Sequence, residues 1–318
     1  MVSFIVIGKN EGWRLDKCLS AIHYFARQEE LANYEIIYVD SKSTDDSLSI
    51  AKKNAANRIL LITGECNAAI GRNVGAKEAK GDILFFLDGD MELFPGFYKD
   101  IVDKDEKLIY PFVSGIEIDI LHDKSWNYVE SKVRRKFKEG IDQFEQTTGG
   151  LFVISKELWE KTGGMDNCQK KSQDLDLGLR LTSLGVPLCR KGKIWVNHYT
   201  QYYAIRTTSL KTVRYSARLA RKHFFNIKAQ MLLLSSNYSY WILHLCLINS
   251  VVYLSLIPML IYLPVPIYRT YKIIHRTQSA LNIPDEFIKR IKKDFLFLYY
   301  FFCFWPCPTK EEYVEVEI

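Results

Sequence analysis

The sequence predicts an α/β protein: a Rossmann-like sheet flanked by helices, followed by a helical, apolar C-terminal region. Three observations carry this. Two strand–helix units and a third strand are packed into the first 62 residues, a density that fits a doubly wound sheet. Residues 81–90, Gly-Asp-Ile-Leu-Phe-Phe-Leu-Asp-Gly-Asp, form a continuous apolar run closed by two carboxylates, which reads as a strand buried on both faces. The last third is rich in Leu, Ile, Tyr and Phe and punctuated by proline.

Residues 2–7 are β-branched and apolar, the first strand, with Gly8-Lys9-Asn10-Glu11-Gly12 as the loop after it. Leu15, Leu19 and Ile22 recur at helical spacing over residues 13–25. Residues 34–39 form the second strand, closed by Asp40, and Ser43 or Thr44 caps a helix over 47–57. Residues 58–62 are the third strand. The stretch 66–79 reads as a helix whose small residues, Ala68, Ala69, Gly71, Gly75, Ala76 and Ala79, allow close approach of another element or a ligand. Arg72 lies among them, just before the strand that ends in Asp88 and Asp90. Those two acids sit where open α/β sheets bind ligands, and together they can share one hard cation that bridges to a phosphate.

Further on, the pattern predicts a helix beginning over 91–102, strands over 108–114 and 115–121, and a helix over 126–137 with a basic end. Gly149-Gly150 enters a strand at 151–154. A short helix follows at 155–161, a turn at 163–166, and a helix opening at 172 with Asp174 and Asp176 near its N-terminus, where the helix dipole favours carboxylates. The last strands span 186–190 and 194–196, ending towards His198, which could complete a metal site already held by carboxylate.

The 318 residues suffice for one sizeable α/β domain plus an appendage. A net charge of +6 suits anionic partners. Of the seven cysteines only Cys303 and Cys307 form a close pair, and they sit in an aromatic run, so reduced thiols in a cytosol-facing protein are expected, without a disulfide framework or structural zinc. The basic runs at 132–138 and 211–222 carry no recognised nucleic-acid module, and no nucleic-acid partner is expected. The N-terminus leads directly into a strand, and secretion is not expected.

The ordered motifs carry a resemblance. Asn10-Glu11, Val39-Asp40 with Ser43-Thr44-Asp45, Ala69 through Gly75, Leu87-Asp88-Gly89-Asp90, Gly163-Gly164-Met165-Asp166 and Gln173-Asp174-Leu175-Asp176-Leu177 together resemble the family 2 glycosyltransferases, inverting enzymes of the GT-A nucleotide-diphospho-sugar transferase fold, over residues 2–200. The resemblance implies that Glu11 and Asp40 hold ribose and base of a UDP- or GDP-sugar. It implies that Arg72 lies near the diphosphate, and that Asp88 and Asp90 bind a divalent cation, Mg2+ or Mn2+. Asp174 corresponds to the catalytic base, and His198 to a further metal ligand of some members. Gly8-Lys9 departs from the usual proline and aromatic, and Gln173 from the usual glutamate.

The C-terminal region reads as a membrane anchor. Lys211, Arg214, Arg218, Arg221 and Lys222 recur at helical spacing on an interfacial helix. Residues 240–268 are nearly free of charge, but Pro258, Pro264 and Pro266 break them and a basic stretch follows, which favours a kinked or re-entrant anchor over a crossing. Three regions result: 1–205 catalytic, 206–239 interfacial and 240–318 anchoring. The expected protein transfers sugar to a lipid-linked acceptor, a polyprenyl phosphate or lipid-linked oligosaccharide. Its place is the bacterial inner membrane or an equivalent one, with the catalytic domain cytoplasmic. The alternatives are a soluble or polysaccharide acceptor with the C-terminal region as a homo-oligomer interface, a processive polysaccharide synthase, disfavoured because no large channel or Gln-x-x-Arg-Trp motif is present, and an inactive scaffold.

Overall fold

The computed structural model describes residues 1–134, 137–202, 209–277, 283–303, 307 and 310–317. The chain divides into two compact units. One comprises residues 1–202 and 308–318, the other residues 203–307.

In the first unit, β1 (Val2–Gly8), β2 (Tyr34–Asp40), β3 (Arg58–Ile62) and β4 (Ile83–Asp88) are parallel neighbours in the order β3-β2-β1-β4. β5 (Met91–Leu93), β6 (Phe112–His122), β9 (Phe152–Ser155) and β10 (Leu188–Gln201) extend the sheet beyond β4 in the order β9-β6-β10-β5. β9 runs antiparallel between β4 and β6, while β6 and β10 are parallel, so the sheet is mixed. The strands β1–β4 are buried on both faces because helices cover them. On one side α1 (Trp13–Gln28) inserts Leu15, Leu19, Ile22 and Phe25 against Phe4, Phe85 and Phe97. On the other, α3 (Ala68–Glu78) packs Ile70 and Val74 against Ile5, Val39 and Phe86. α2 (Ser47–Lys53) and α4 (Lys156–Thr162) are short, and α5 (Gln173–Ser183) precedes β10.

The small residues of α3 serve packing against the sheet. A Cβ on Gly75 would lie 2.3 Å from Ile5 Cγ2, and one on Gly71 3.2 Å from Ile7 Cγ2. The helix therefore rests directly on β1.

Several expectations are corrected. Residues 91–102 form the three-residue strand β5 and a single 3-10 turn (Tyr98–Asp100), because Pro95-Gly96 starts a turn where a helix would continue. Residues 108–121 hold one strand, β6. Gly115 does not break it: a Cβ there would lie 2.0 Å from Trp195 Cγ, so the glycine admits that indole to the core. Residues 128–133 form β7 (Tyr128–Val133), an exposed strand paired antiparallel with β6. Val129, Ser131 and Val133 share one face and Tyr128, Glu130 and Lys132 the other, all exposed, so neither face marks a core and the charges read as a helix face. β8 (Gln143–Glu145) pairs with β10, which runs through what the pattern divided into two strands. Against the expectation of reduced thiols throughout, Cys168 is disulfide-bonded, while Cys18, Cys66, Cys189, Cys246 and Cys303 are free.

The tail also behaves differently from the apolar region before it. β11 (Tyr313–Glu315) adds antiparallel to β3 and closes that edge of the sheet. Arg58 clamps it with two bonds of 2.7 Å to Glu315, and the Glu312 carbonyl accepts from Thr63 N at 2.8 Å.

The second unit is helical: α6 (Val213–Lys222), α7 (Ile227–Val252), α8 (Ile257–Tyr262), α9 (Pro264–Thr277) and α10 (Ile283–Phe302). Its polar residues turn inward. Asp294, on α10, accepts from Ser239 Oγ at 3.1 Å and from Tyr262 O–H at 2.9 Å, and lies 3.6 Å from Arg269 Nη1. Glu286 and Arg290 are buried on the same helix, whereas Leu254, Leu256 and Ile257 are exposed. Among the described residues no single helix is long and apolar enough to cross a membrane. Ile227–Leu233 and Tyr238–Val252 meet the criteria only together, bent by 99°.

Candidate active site

The parallel strands bring their C-terminal ends to one edge of the sheet. Gly8 is in register with Asp40 of β2, and Ile7 with Asp88 of β4. On the far side, Asp119 of β6 is in register with His198 of β10, which also pairs with Met91 just after Asp90. The fold thus assembles acids from four separate strands or their ends.

Asp40 is fully buried. Its Oδ1 accepts from Ser43 N at 2.7 Å and its Oδ2 from Tyr38 O–H at 2.9 Å. Burial and this carboxylate push the Tyr38 phenol well above its usual range. The loop after β2 is tied to the loop after β1, because Asn10 Oδ1 accepts from Thr44 N at 2.7 Å and Ser43 Oγ accepts from Asn10 N at 2.9 Å.

Glu11 folds back over the strand ends. A Cβ on Gly8 would lie 2.9 Å from Glu11 Cγ, and one on Gly89 3.0 Å from it. These two glycines therefore make the space for Glu11. Glu11 Oε2 lies 2.8 Å from Arg14 Nη2, and Arg14 Nη1 is 3.7 Å from Asp90 Oδ2. Burial, reinforced by Asp90, pushes the Glu11 carboxyl up to about 7 against the pull of Arg14.

Asp90 has one oxygen, Oδ2, 3.4 Å from His198 Nε2. Its other oxygen, Oδ1, is buried without a hydrogen-bond partner. His198 Nδ1 pairs with Asp119 Oδ1 at 2.7 Å. Burial works against the charged imidazole, but Asp119 and Asp90 outweigh it and raise the ring's pKa to about 10. Asp119 is lowered despite its burial by the same bond and by Arg134. Arg134, at the end of β7, donates to Glu117 Oε2 at 2.6 Å.

Asp88 is held by Arg72 of α3, which also reaches Gly150 O at 3.4 Å. Burial pushes the Asp88 carboxyl up, Arg72 opposes this, and Asp90 adds to it. Gly150 is required here, since a Cβ would fall 2.4 Å from Asp88 Oδ2. The loop before Gly150 leads to Asp174, whose Oδ2 accepts from Thr147 Oγ1 at 2.8 Å and whose carbonyl accepts from Thr148 N at 3.2 Å. Gly178 lets α5 press against this loop, as a Cβ would lie 2.2 Å from Gln146 O.

Of the residues singled out in the sequence, Glu11, Asp90 and His198 are linked through direct contacts and Arg14. Asp88 and Arg72 form a second pair. Asp174 connects to that pair only through the loop 147–150, and Asp40 stands apart in its own loop. Arg14, Glu117, Asp119 and Arg134 were missed. For the two acids a signal existed: Glu117 and Asp119 alternate with apolar residues in a strand that is otherwise buried. Among the described residues no group of three or more His, Cys, Asp or Glu side chains is arranged to hold a metal. The feature that fits a cation is the orphaned Oδ1 of Asp90.

Residues 3–156 match the sequence model of Glycosyl transferase family 2. An uncharacterized glycosyltransferase of Haemophilus influenzae is 26% identical over 194 residues, which cover 57% of this chain and 62% of that protein. In Methanococcus voltae, the dolichyl N-acetyl-alpha-D-glucosaminyl phosphate 3-beta-D-2,3-diacetamido-2,3-dideoxy-beta-D-glucuronosyltransferase is 26% identical over 249 residues, 71% of this chain and 76% of that one. The chain thus spans under two thirds of the Haemophilus protein. Among solved structures, that of GalNAc-T7 with UDP, GalNAc and Mn2+ aligns with a TM-score of 0.55 at 18% identity, covering 69% of this chain and 47% of the other. That likeness shows the fold, the GT-A fold of nucleotide-diphospho-sugar transferases. With these relatives, residues 3–156 of this chain form a glycosyl transferase family 2 domain.

Proposed function

We propose that this protein transfers a glycosyl group, with inversion, from a UDP- or GDP-sugar to a lipid-linked acceptor, at the cytoplasmic face of the bacterial inner membrane or an equivalent one. The observation that carries the reading is the convergence of Glu11, Asp88, Asp90 and His198 at the C-terminal edge of the sheet, with a buried oxygen of Asp90 left for a ligand. Open α/β sheets bind ligands at that edge. The lipid acceptor is supported by the dolichyl-linked substrate in the Methanococcus relative's name and by the exposed apolar helices of the second unit.

In this reading Glu11 and Asp40 hold ribose and base, Asp40 by bracing the loop after β2. Arg72 keeps Asp88 in place and sets a positive charge beside the diphosphate. Asp90 and His198 are the residues that would hold Mg2+ or Mn2+, His198 as the neutral ring. When bound, the cation supplies positive charge to the departing nucleoside diphosphate. Asp174, positioned by Thr147 and the start of α5, accepts the proton of the acceptor hydroxyl, or orients a phosphate nucleophile. The acceptor oxygen bonds to the anomeric carbon as the bond to the diphosphate breaks on the opposite face. General-base help of this kind is worth about 10²–10⁴-fold.

The test is incubation of the full chain and membrane lipids with a panel of nucleotide-sugars, followed by mass spectrometry of the lipids. A glycosylated lipid that appears only with one donor supports the reading. Release of nucleotide with no lipid product, or with product only on soluble glycans, favours the soluble or polysaccharide acceptor. Neither nucleotide binding nor release sinks transferase activity altogether, and unchanged transfer in metal-depleted buffer sinks the cation.

A further inference from the structure

A cluster of aromatic rings lies against the Asp90 side of the site, and none of the roles above uses it. Trp13, the first residue of α1, meets Tyr199 at 5.3 Å, Trp126 at 5.7 Å and His122 at 6.1 Å between ring centroids, each edge-to-face. Trp13 is nevertheless 42% exposed, so indole surface remains open to solvent. Tyr128, 62% exposed, stands over His122 as an outer wall.

The cluster is built onto the site. The Tyr199 N–H donates to the Asp90 carbonyl at 2.9 Å. Arg14, which contacts Glu11 and Asp90, lies 4.4 Å over the Trp126 ring. Trp126 itself has φ of 63°, unusual for a bulky residue. The Asp123 side chain enforces this by accepting from Ser125 N at 2.7 Å and Asn127 N at 2.9 Å. Lys17 and Glu92 flank Tyr199. They also line a cavity of about 360 Å³ together with Ser20 and Tyr24.

We propose that Trp13, Trp126 and Tyr199, with Lys17 and Glu92 at the rim, form a subsite for a pyranose ring of the acceptor. A sugar presents one face of C–H bonds and a perimeter of hydroxyls. An open indole edged by a cation, a carboxylate and a phenol matches both. The rim argues against a bilayer as the occupant, because Lys17 and Glu92 edge the exposed aromatic members, whereas the most exposed run of aliphatic side chains, Leu254, Leu256, Ile257, Leu260 and Ile261, belongs to the second unit. The inference rests on the transferase reading and sharpens it: the acceptor already carries a sugar, so a lipid-linked saccharide fits better than a bare polyprenyl phosphate.

The experiment is saturation-transfer NMR on the full chain in detergent with UDP and MnCl2. The probes are the methyl glycosides of glucose, galactose, mannose, N-acetylglucosamine and N-acetylgalactosamine. The expected result is saturation of ring C–H protons in at least one glycoside. Its affinity falls about tenfold or more in Trp13→Ala and in Tyr128→Ala, and stays within about threefold of the parent in Trp13→Phe, while UDP affinity holds. A parent that binds UDP but no glycoside overturns the subsite and leaves the donor reading intact. Glycoside binding with neither UDP nor, in a parallel sample, GDP bound does the reverse. Unchanged glycoside affinity in both alanine variants overturns the proposal. So does a loss confined to co-sedimentation with phosphatidylglycerol vesicles, which would make the rings a membrane contact.

Discussion

The two units solve opposite problems with the same residue types. In the α/β unit, Phe4, Ile5, Phe85 and Phe86 fill the interior, and Glu11, Arg72, Asp88 and Asp90 come together past the C-terminal ends of the parallel strands. In the helical unit, Glu286, Arg290 and Asp294 fall at four-residue spacing on a buried face of α10, while Leu254 is 93% exposed and Leu256 79%. In the function proposed above, the charge gathered in the first unit is the place for a ligand. In the second, Asp294 meets Ser239, Tyr262 and Arg269 of other helices, Glu286 meets Lys289 of its own, and Leu254 and Leu256 face outward. That inversion is what a surface in contact with hydrocarbon requires, and it supports the anchor proposed above.

The comparison is broken most sharply at the α/β site. Asp90→Ala should lower transfer by about 10³-fold, the upper end for removing one electrostatic stabiliser, and abolish cation-dependent UDP binding measured by calorimetry. Near-parental transfer would mean that this edge is not the reaction centre. Asp174→Asn removes the proton acceptor at constant size. Steady-state kinetics should show turnover reduced about 10²–10⁴-fold with donor affinity nearly intact, and a change within threefold would rule Asp174 out as the base.

In the helical unit the corresponding test is Asp294→Ala, which strips a counter-charge from Arg269. Leaving a buried charge uncompensated costs about 3–5 kcal/mol, and thermal unfolding in detergent should register it. The double variant Asp294→Leu with Arg269→Met should recover most of the loss. If the single variant is neutral, the charges are hydrated and the inside-out reading fails. A smaller effect is expected at Gly75→Ala. The added methyl overpacks Ile5, for about 1–3 kcal/mol, read as a lowered urea midpoint with the slope unchanged. Arg58→Ala at the rim of β3 should cost least. An ion pair this exposed is worth about 0–1 kcal/mol, so a larger loss would show that β11 depends on it.

Legibility in the sequence followed physical locality. The first four strands were readable because each is a short apolar run covered on both faces, and Asp88, Asp90 and Asp174 because each sits at an element's end. Asp119 was not readable as a partner of His198, since only the register of two strands nearly eighty residues apart brings them together. β7 was lost because an exposed strand has no apolar face to betray its period. β11 was lost because its partner, β3, lies about 250 residues earlier in the chain. Arg14 could have been found: it stands one helical turn from Glu11, on the same loop-to-helix junction.

The return of the tail to β3 has a consequence for biogenesis. Synthesis runs from the N-terminus, and domains generally fold as they emerge. The α/β unit would thus wait with the N–H and C=O groups of β3 uncovered while the hundred residues of helical region are made. An uncovered strand edge invites pairing with other chains. A ribosome stalled near residue 300 therefore leaves the β3 edge open with the exposed apolar residues of the helical region already made, both hazards at once.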